Sequence, residues 1–163
     1  MPQASHPTLD DFDLAILDLL QRDNTISQRQ IAKAVNLSAP AVQRRIQRLR
    51  DSSVIHAEAA ILNASELGRP LTMTVTVRVH DDHPLRIAAL RARLMAEPAV
   101  QQCYMITGEA DFLVIITAAT MADYETITQR LFEGDENVRR FQTSVVMNCL
   151  KTGFHVPLQY RRS

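Results

Sequence analysis

The chain has no apolar run long enough to cross a bilayer, which takes about 20 consecutive apolar residues. Its opening, MPQASHPTLDDFD, lacks the basic and apolar segments of a secretory signal, so a cytoplasmic protein with no membrane partner is expected. There is no excess charge of either sign, since 18 Lys and Arg balance 18 Asp and Glu. A neutral total does not exclude nucleic-acid binding, because the relevant quantity is the local density of charge. Cysteine is limited to Cys103 and Cys149. They stand alone in apparent strands, without the density of a disulfide scaffold or the paired spacing of a zinc site, and reduced packing residues are expected. With 22% of its 163 residues charged, the chain suits one or two small soluble domains.

What the sequence does contain is concentrated in ISQRQIAKAVNLSAPAVQRRIQRLR, residues Ile26 to Arg50. Ser27 is a good N-cap and Gln30 stands three residues on, the spacing of a capping box, with Ile26 and Ile31 at the hydrophobic-staple positions. The helix they open should end near Val35, because Asn36 tolerates the left-handed conformation. Ser38 then offers a second N-cap, with Pro40 in the first turn and Leu37 and Val42 as a second staple. Two short helices joined by a tight turn make a helix-turn-helix. At 100° per residue, Val42, Ile46 and Leu49 form the buried stripe of the second helix. Pro40, Ala41, Gln43, Arg44, Gln47 and Arg48 face away from it, flanked by Arg45 and Arg50. Four arginines and no acid lie between Ser38 and Arg50. Small residues at the start of such a helix let its first turn approach base edges, while guanidinium groups reach phosphates or guanines. The expected partner is double-stranded DNA, met by Ser27, Gln28, Ser38, Pro40, Ala41, Gln43, Arg44, Gln47 and Arg48. The plainer alternative is a solvated basic face on a bundle helix.

Around this segment the chain reads in order. Asp10 can cap a bracing helix to about Gln21, with Leu14, Leu17 and Leu20 on one face and Asp11 and Asp13 complementing the helix dipole. The arm before it, residues 1–8, should be loose. Beyond the recognition helix, Asp51-Ser52-Ser53 breaks the pattern, and Val54 to Leu62 suggests a strand-like wing. A boundary is expected near residue 65, which divides the chain into an N-terminal domain, residues 1–64, and a second domain, residues 65–163. From Leu71 the apolar period becomes two: Leu71, Met73, Val75, Val77 and Val79 share one face, Thr72, Thr74, Thr76 and Arg78 the other. A threonine-rich outer face suits a sheet covered by another protein surface, which hints at an oligomer. A helix over about 85–95, a strand over 100–107, a turn at Gly108-Glu109-Ala110, an apolar central strand over 112–117, a helix over about 121–132 and a strand over about 138–147 complete the pattern. The order strand, helix, strand, strand, helix, strand is the ferredoxin-like arrangement. The fold class is therefore α+β, an N-terminal helix-turn-helix (winged-helix-like) domain followed by a C-terminal ferredoxin-like βαββαβ domain, whose own helices leave one sheet face open.

From Leu9 to Leu158 the chain resembles the leucine-responsive regulatory protein/AsnC family, the feast/famine transcriptional regulators. The resemblance lies in LDDFDLAILDLLQRDNTIS, IAKAVNLSAPAVQRRIQRL, the turn ITGEADFLV and the ending VVMNCLKTGFHVPL, in that order and spacing. It implies an N-terminal DNA-binding domain and a C-terminal domain that senses an effector, usually an amino acid, and forms homodimers that assemble into octamers or related rings. The family pattern for the effector falls on Met105, Thr107, Gly108, Glu109, Asp111, Met121, Thr143, Ser144, Val145 and Val146. No cofactor and no catalytic residue are implied.

Chemistry bears on the turn as well. An amino acid presents an ammonium, which Asp111 can hold, and a carboxylate, which backbone N–H groups beside Gly108 can hold. The simpler account is that Gly108 permits the turn and Asp111 caps it. His80-Asp81-Asp82-His83 has the look of a metal or acid–base cluster, as a small ferredoxin-like enzyme with an attached helix-turn-helix would require. Pro84 follows at once and no complementary ligand or nucleophile motif stands elsewhere, so a polar loop and no metal are expected. An architectural DNA-binding protein with little sequence choice is the other alternative to an operator-specific regulator.

Overall fold

Asp10 and Asp13 cap one another at the start of the first helix, each carboxylate accepting the other residue's backbone N–H, at 3.1 and 2.9 Å. In the computed structural model, which describes residues 8–158 and so leaves all but Thr8 of the expected loose arm outside the described residues, this helix is α1 (Asp11–Arg22). α2 (Gln28–Ala34) starts from the expected Ser27–Gln30 capping box. Asn36, at φ 54°, makes the turn, and Ser38 caps α3 (Ala39–Asp51). Ile16, Ile31, Ala32, Val35, Val42 and Ile46 form the core of this unit. Each fully buried aliphatic side chain contributes about 1.5–3 kcal/mol. Two features differ from expectation. The buried side of α1 runs through Asp13, Leu14 and Ile16, while Leu17 is half-exposed. The expected wing is absent: residues 54–62 are irregular and mostly exposed, because nothing in the described chain offers them a ladder partner.

The second unit is a four-stranded antiparallel sheet in the order β2-β3-β1-β4, built from β1 (Leu71–Val79), β2 (Val100–Met105), β3 (Phe112–Ala118) and β4 (Val138–Val145). Two helices connect the strands: α4 (Pro84–Ala96) and α5 (Met121–Thr128), the latter continuing as a π-helical turn, Gln129–Glu133. The expected alternation in β1 holds, with Met73, Val75 and Val77 fully buried. They pack with Phe112, Val114 and Ile116 of β3 under Leu90 and Leu94 of α4 and Ile127, Leu131 and Phe132 of the second helical segment. The opposite face carries Thr72, Thr74 and Thr76, registered beside Leu113 and Ile115 of β3 and Gln142 and Ser144 of β4. Cys103 lies half-buried in β2, where burial pushes its thiol pKa up. Cys149, expected in a strand, is exposed beyond the end of β4.

Contacts group residues 61–150 as this sheet unit and place residues 151–158 with the N-terminal unit. There the Gln21 side-chain amide clasps the backbone of Val156, donating to its carbonyl at 3.1 Å and accepting its N–H at 3.0 Å. Among the described residues no helix is long and apolar enough to cross a membrane.

Candidate DNA interface and effector turn

The starts of α2 and α3 and the turn between them are built by local hydrogen bonds. Gln30 Oε1 accepts the Ser27 N–H at 3.0 Å, the Leu37 N–H closes onto the Ala32 carbonyl at 3.0 Å, and Ser38 Oγ accepts the Ala41 N–H at 3.3 Å. These bonds satisfy donors that a helix start leaves without partners. They set α3 with Val42, Ile46 and Leu49 buried, as its periodicity requires. Ser27, Gln28, Ser38, Pro40, Gln43, Arg44, Gln47 and Arg48 are exposed and Ala41 is half-buried. An open depression of about 360 Å³ runs along this surface, lined by Asp10, Leu37, Ala41, Arg44, Arg45 and Arg48.

The electrostatics of α3 depart from a free basic stripe. Arg45 donates from Nη1 to both Asp10 oxygens, at 2.8 and 2.9 Å, and to Asp13 at 2.8 Å, with its guanidinium carbon 5.4 Å from the Phe12 ring centroid. The hydrogen bonds to Asp13 and Asp10 raise the Arg45 pKa above its ordinary value. Burial pushes the Asp10 carboxyl up, but the Asp13 N–H and the Arg45 guanidinium outweigh it and hold it below the usual range. Arg48 Nη2 donates to Asp13 at 2.5 Å, and Arg50 meets both Glu58 oxygens at 2.9 Å. Gln47 donates to Asp51 at 2.8 Å. Arg44 alone of the four α3 arginines makes no ion pair among the described residues. Asp13 is therefore the buried anchor behind this surface, a role beyond complementing the helix dipole. The Asp-x-x-Asp spacing announces its capping role; its ion pairs cross 32 and 35 positions of sequence and had no local signal.

In the sheet unit the mapped effector residues fall into two groups. Met105, Thr107, Gly108 and Glu109 are exposed on the β2–β3 turn, where Gly108 adopts φ 120°, a backbone that favours glycine although a Cβ would meet nothing within 4 Å. Asp111 closes this turn onto β1. Its N–H donates to the Val77 carbonyl and its own carbonyl accepts the Ile106 N–H, both at 2.9 Å. Its Oδ2 accepts the Val79 N–H at 2.8 Å, beside the register shift between Arg78 and Val79. The second group lies toward the other end of β1. Thr143 and Val145 register opposite Val75 and Met73, on the helix-covered face, while Ser144 registers opposite Thr74 on the open face. Val146 donates to the Thr72 carbonyl at 2.9 Å, and Met121 is half-exposed in the first turn of α5. Thr143 shares a hydrogen bond with the buried Tyr124 of α5. The five-residue step along β1 from Thr72 to Val77 spans about 17 Å at the usual strand rise, whereas Thr143, opposite Val75, stands two residues along β1 from Val77 and on the other side of β1 from β3.

The His80–His83 segment serves the loop. His83 Nδ1 accepts the Leu85 N–H at 3.4 Å, Asp81 accepts the His83 N–H at 2.8 Å, and Asn137 brackets Asp81 through its side-chain amide. Among the described residues no group of three or more His, Cys, Asp or Glu is arranged to hold a metal ion.

Two family models match, the AsnC-type helix-turn-helix domain over residues 9–50 and the Lrp/AsnC ligand binding domain over residues 72–156. An HTH-type transcriptional regulator of Sinorhizobium fredii is 36% identical over 93% of this chain and 89% of its own length. The leucine-responsive regulatory protein of Rhizobium meliloti is 31% identical over 92% of this chain and 96% of its own. The fold superposes on a Neisseria meningitidis transcriptional regulator crystallised with L-Met, with a TM-score of 0.86 at 24% identity, covering 92% of this chain and 97% of that one. It superposes also on the Mycobacterium tuberculosis leucine response regulatory protein, with a TM-score of 0.79 at 27% identity over 91% and 100% of the two chains. Capped helix pair, antiparallel sheet and both sequence matches agree, and the chain belongs to the Lrp/AsnC family of DNA-binding transcriptional regulators.

Proposed function

We propose that this protein is an operator-specific regulator whose α3 enters the DNA major groove and whose sheet unit senses an amino acid or related metabolite in an assembly of at least two copies. The observation that carries the DNA half is the exposed first half of α3, where Ser38, Pro40, Gln43 and Arg44 face solvent and Arg44 makes no ion pair among the described residues. Side chains there can reach base edges, and a helix with three of its four arginines already paired has little charge left for indiscriminate phosphate binding. That favours operator choice over architectural compaction.

The sensing half is supported by the separation of the two effector groups. A second chain seated on the open sheet face with Thr72, Thr74 and Thr76 would complete a pocket that draws on both the Gly108–Asp111 turn and the Thr143–Val146 segment. Amino-acid chemistry fits the turn, since the Asp111 carboxylate keeps Oδ1 available beside the bond from Val79. Relatives named for leucine response and glutamate uptake, and the neighbour solved with L-Met, support the same class. Assembly as homodimers that build octamers would place recognition helices on half-sites one helical turn, or a multiple, apart. A thermal-shift screen of amino acids, followed by footprinting on a genomic duplex with and without the hit, tests the reading. The expected result is one ligand class that raises the melting temperature and alters the footprint. A monomer in sedimentation at micromolar concentration, with no ligand shifting its melting, would overturn it.

A further inference from the structure

Asp13 has 0% solvent exposure, yet it is an acid on the helix that braces the recognition helix. Three donors converge on it: the Asp10 N–H at 3.1 Å, Arg45 Nη1 at 2.8 Å and Arg48 Nη2 at 2.5 Å. A buried carboxylate persists only when its charge is paired and its lone pairs are met, and losing a partner costs more than the pair contributes. The same bonds dictate where two guanidinium groups can go. Arg45 is held by Asp10 and Asp13 over the Phe12 ring, turned inward from the α3 surface. Arg48 surrenders one nitrogen while its side chain remains 54% exposed.

We propose that Asp13 is a positioning residue for DNA recognition, which withholds Arg45 from phosphate and restrains Arg48, so that Arg44 and the outer half of Arg48 present the charge of α3. Phosphate contacts add affinity and salt dependence on every sequence and carry no base information. Arg48 released from Asp13, and Arg45 left with Asp10 alone, would therefore raise binding to all DNA and dilute the choice made by base contacts. The unusual consequence is that neutralising a buried acid strengthens non-specific binding. This inference rests on the reading of α3 as the DNA-facing helix.

The test uses the full chain, a duplex selected by the protein from a random pool and a scrambled duplex, titrated by fluorescence anisotropy across roughly 50 to 200 mM salt. Asp13→Asn keeps the shape and one acceptor but removes the charge. It should bind the scrambled duplex more tightly, steepen the log–log salt slope by about one unit for each guanidinium released, and lower the ratio of selected to scrambled affinity. Asp13→Asn/Arg48→Gln should return part of that slope. Because loss of a buried charge can unfold the domain, Asp10→Asn serves as the second variant: its carboxylate is exposed and pairs with Arg45, and a smaller change of the same sign is expected. Folded Asp13→Asn with unchanged slope and discrimination would reduce Asp13 to a packing role. If Asp13→Asn does not fold, an unchanged slope in Asp10→Asn overturns the proposal. Arg44→Ala separates the premise from the inference: wild-type binding in that variant would refute the placement of α3 on DNA, whereas weakened binding beside an unchanged Asp13→Asn slope would refute only the role of Asp13.

Discussion

The helix pair and the sheet unit distribute their functional residues in opposite ways. In the first, the nine candidate positions from Ser27 to Arg48 fall on two successive capped helices and the turn between them, eight exposed and Ala41 half-buried. In the second, the mapped effector residues divide mainly between the turn ahead of β3 and the end of β4, strands that flank β1 on opposite sides. The chemical detail differs as well: Asp13 pairs Arg45 and Arg48 from behind α3, while the Asp111 carboxylate holds the Val79 N–H.

The comparison breaks most severely if the two cores are not separate. Phe112→Ala, at the centre of the sheet core, should destabilise that unit by about 3–5 kcal/mol and leave the helix pair folded, giving two resolved transitions in denaturant monitored by circular dichroism. A single transition that takes both units down together would show that the helix pair does not stand on its own core.

The effector turn is sharpened by Asp111→Asn, which retains an acceptor for the Val79 N–H and loses the charge. Loss of one charge-assisted hydrogen bond to an ammonium is worth roughly 1.5–3 kcal/mol, so calorimetry with the ligand from the screen should show affinity lower by about one to two orders of magnitude. DNA binding without ligand should stay at the wild-type level. Unchanged ligand affinity would leave Asp111 as the closure of its turn.

Arg44→Ala probes the DNA side. Loss of a phosphate contact should lower affinity on all sequences and reduce the salt slope by roughly one unit, whereas loss of a guanine contact should cost about 1–3 kcal/mol and relax choice at one base pair. Anisotropy on single-base variants of the selected duplex distinguishes the two.

The smallest effect concerns acid stability of the sheet unit. Burial pushes the Asp135 carboxyl up, but the Asn137 N–H and the Arg93 guanidinium prevail and hold it below the usual carboxylate range. A folded-state pKa below the unfolded one means the stabilisation is fully present above about pH 4. It is lost as pH falls through the folded value. Asp135→Asn should therefore melt lower near neutrality and lose less melting temperature than wild type on acidification below about pH 4. Parallel melting-temperature curves against pH would exclude Asp135 as a contributor.

How much of this was legible in the residues depends on the range of the interaction. Ser27 with Gln30, Ser38 with Ala41, Asn36 in its left-handed turn and the alternation from Leu71 to Val79 are contacts between near neighbours or consequences of a fixed period, so the residue order by itself determined both helices, the turn and the strand. Gly108 likewise announced its turn. The pairing of Asp13 with Arg45 and Arg48, the bond between Tyr124 and Thr143 and the clasp of Gln21 on Val156 join residues 19 to 135 positions apart. No propensity or periodicity encodes such pairs, since each depends on where two separately formed elements come to rest. The expected wing failed for the same reason: Val54 to Leu62 has the composition of a strand, but a strand exists only with a partner, and none lies beside it. Residue order thus determined which side chains α3 turns outward. The tertiary structure decided which of its arginines are paired with acids, because Asp13 and Glu58 come from outside the helix.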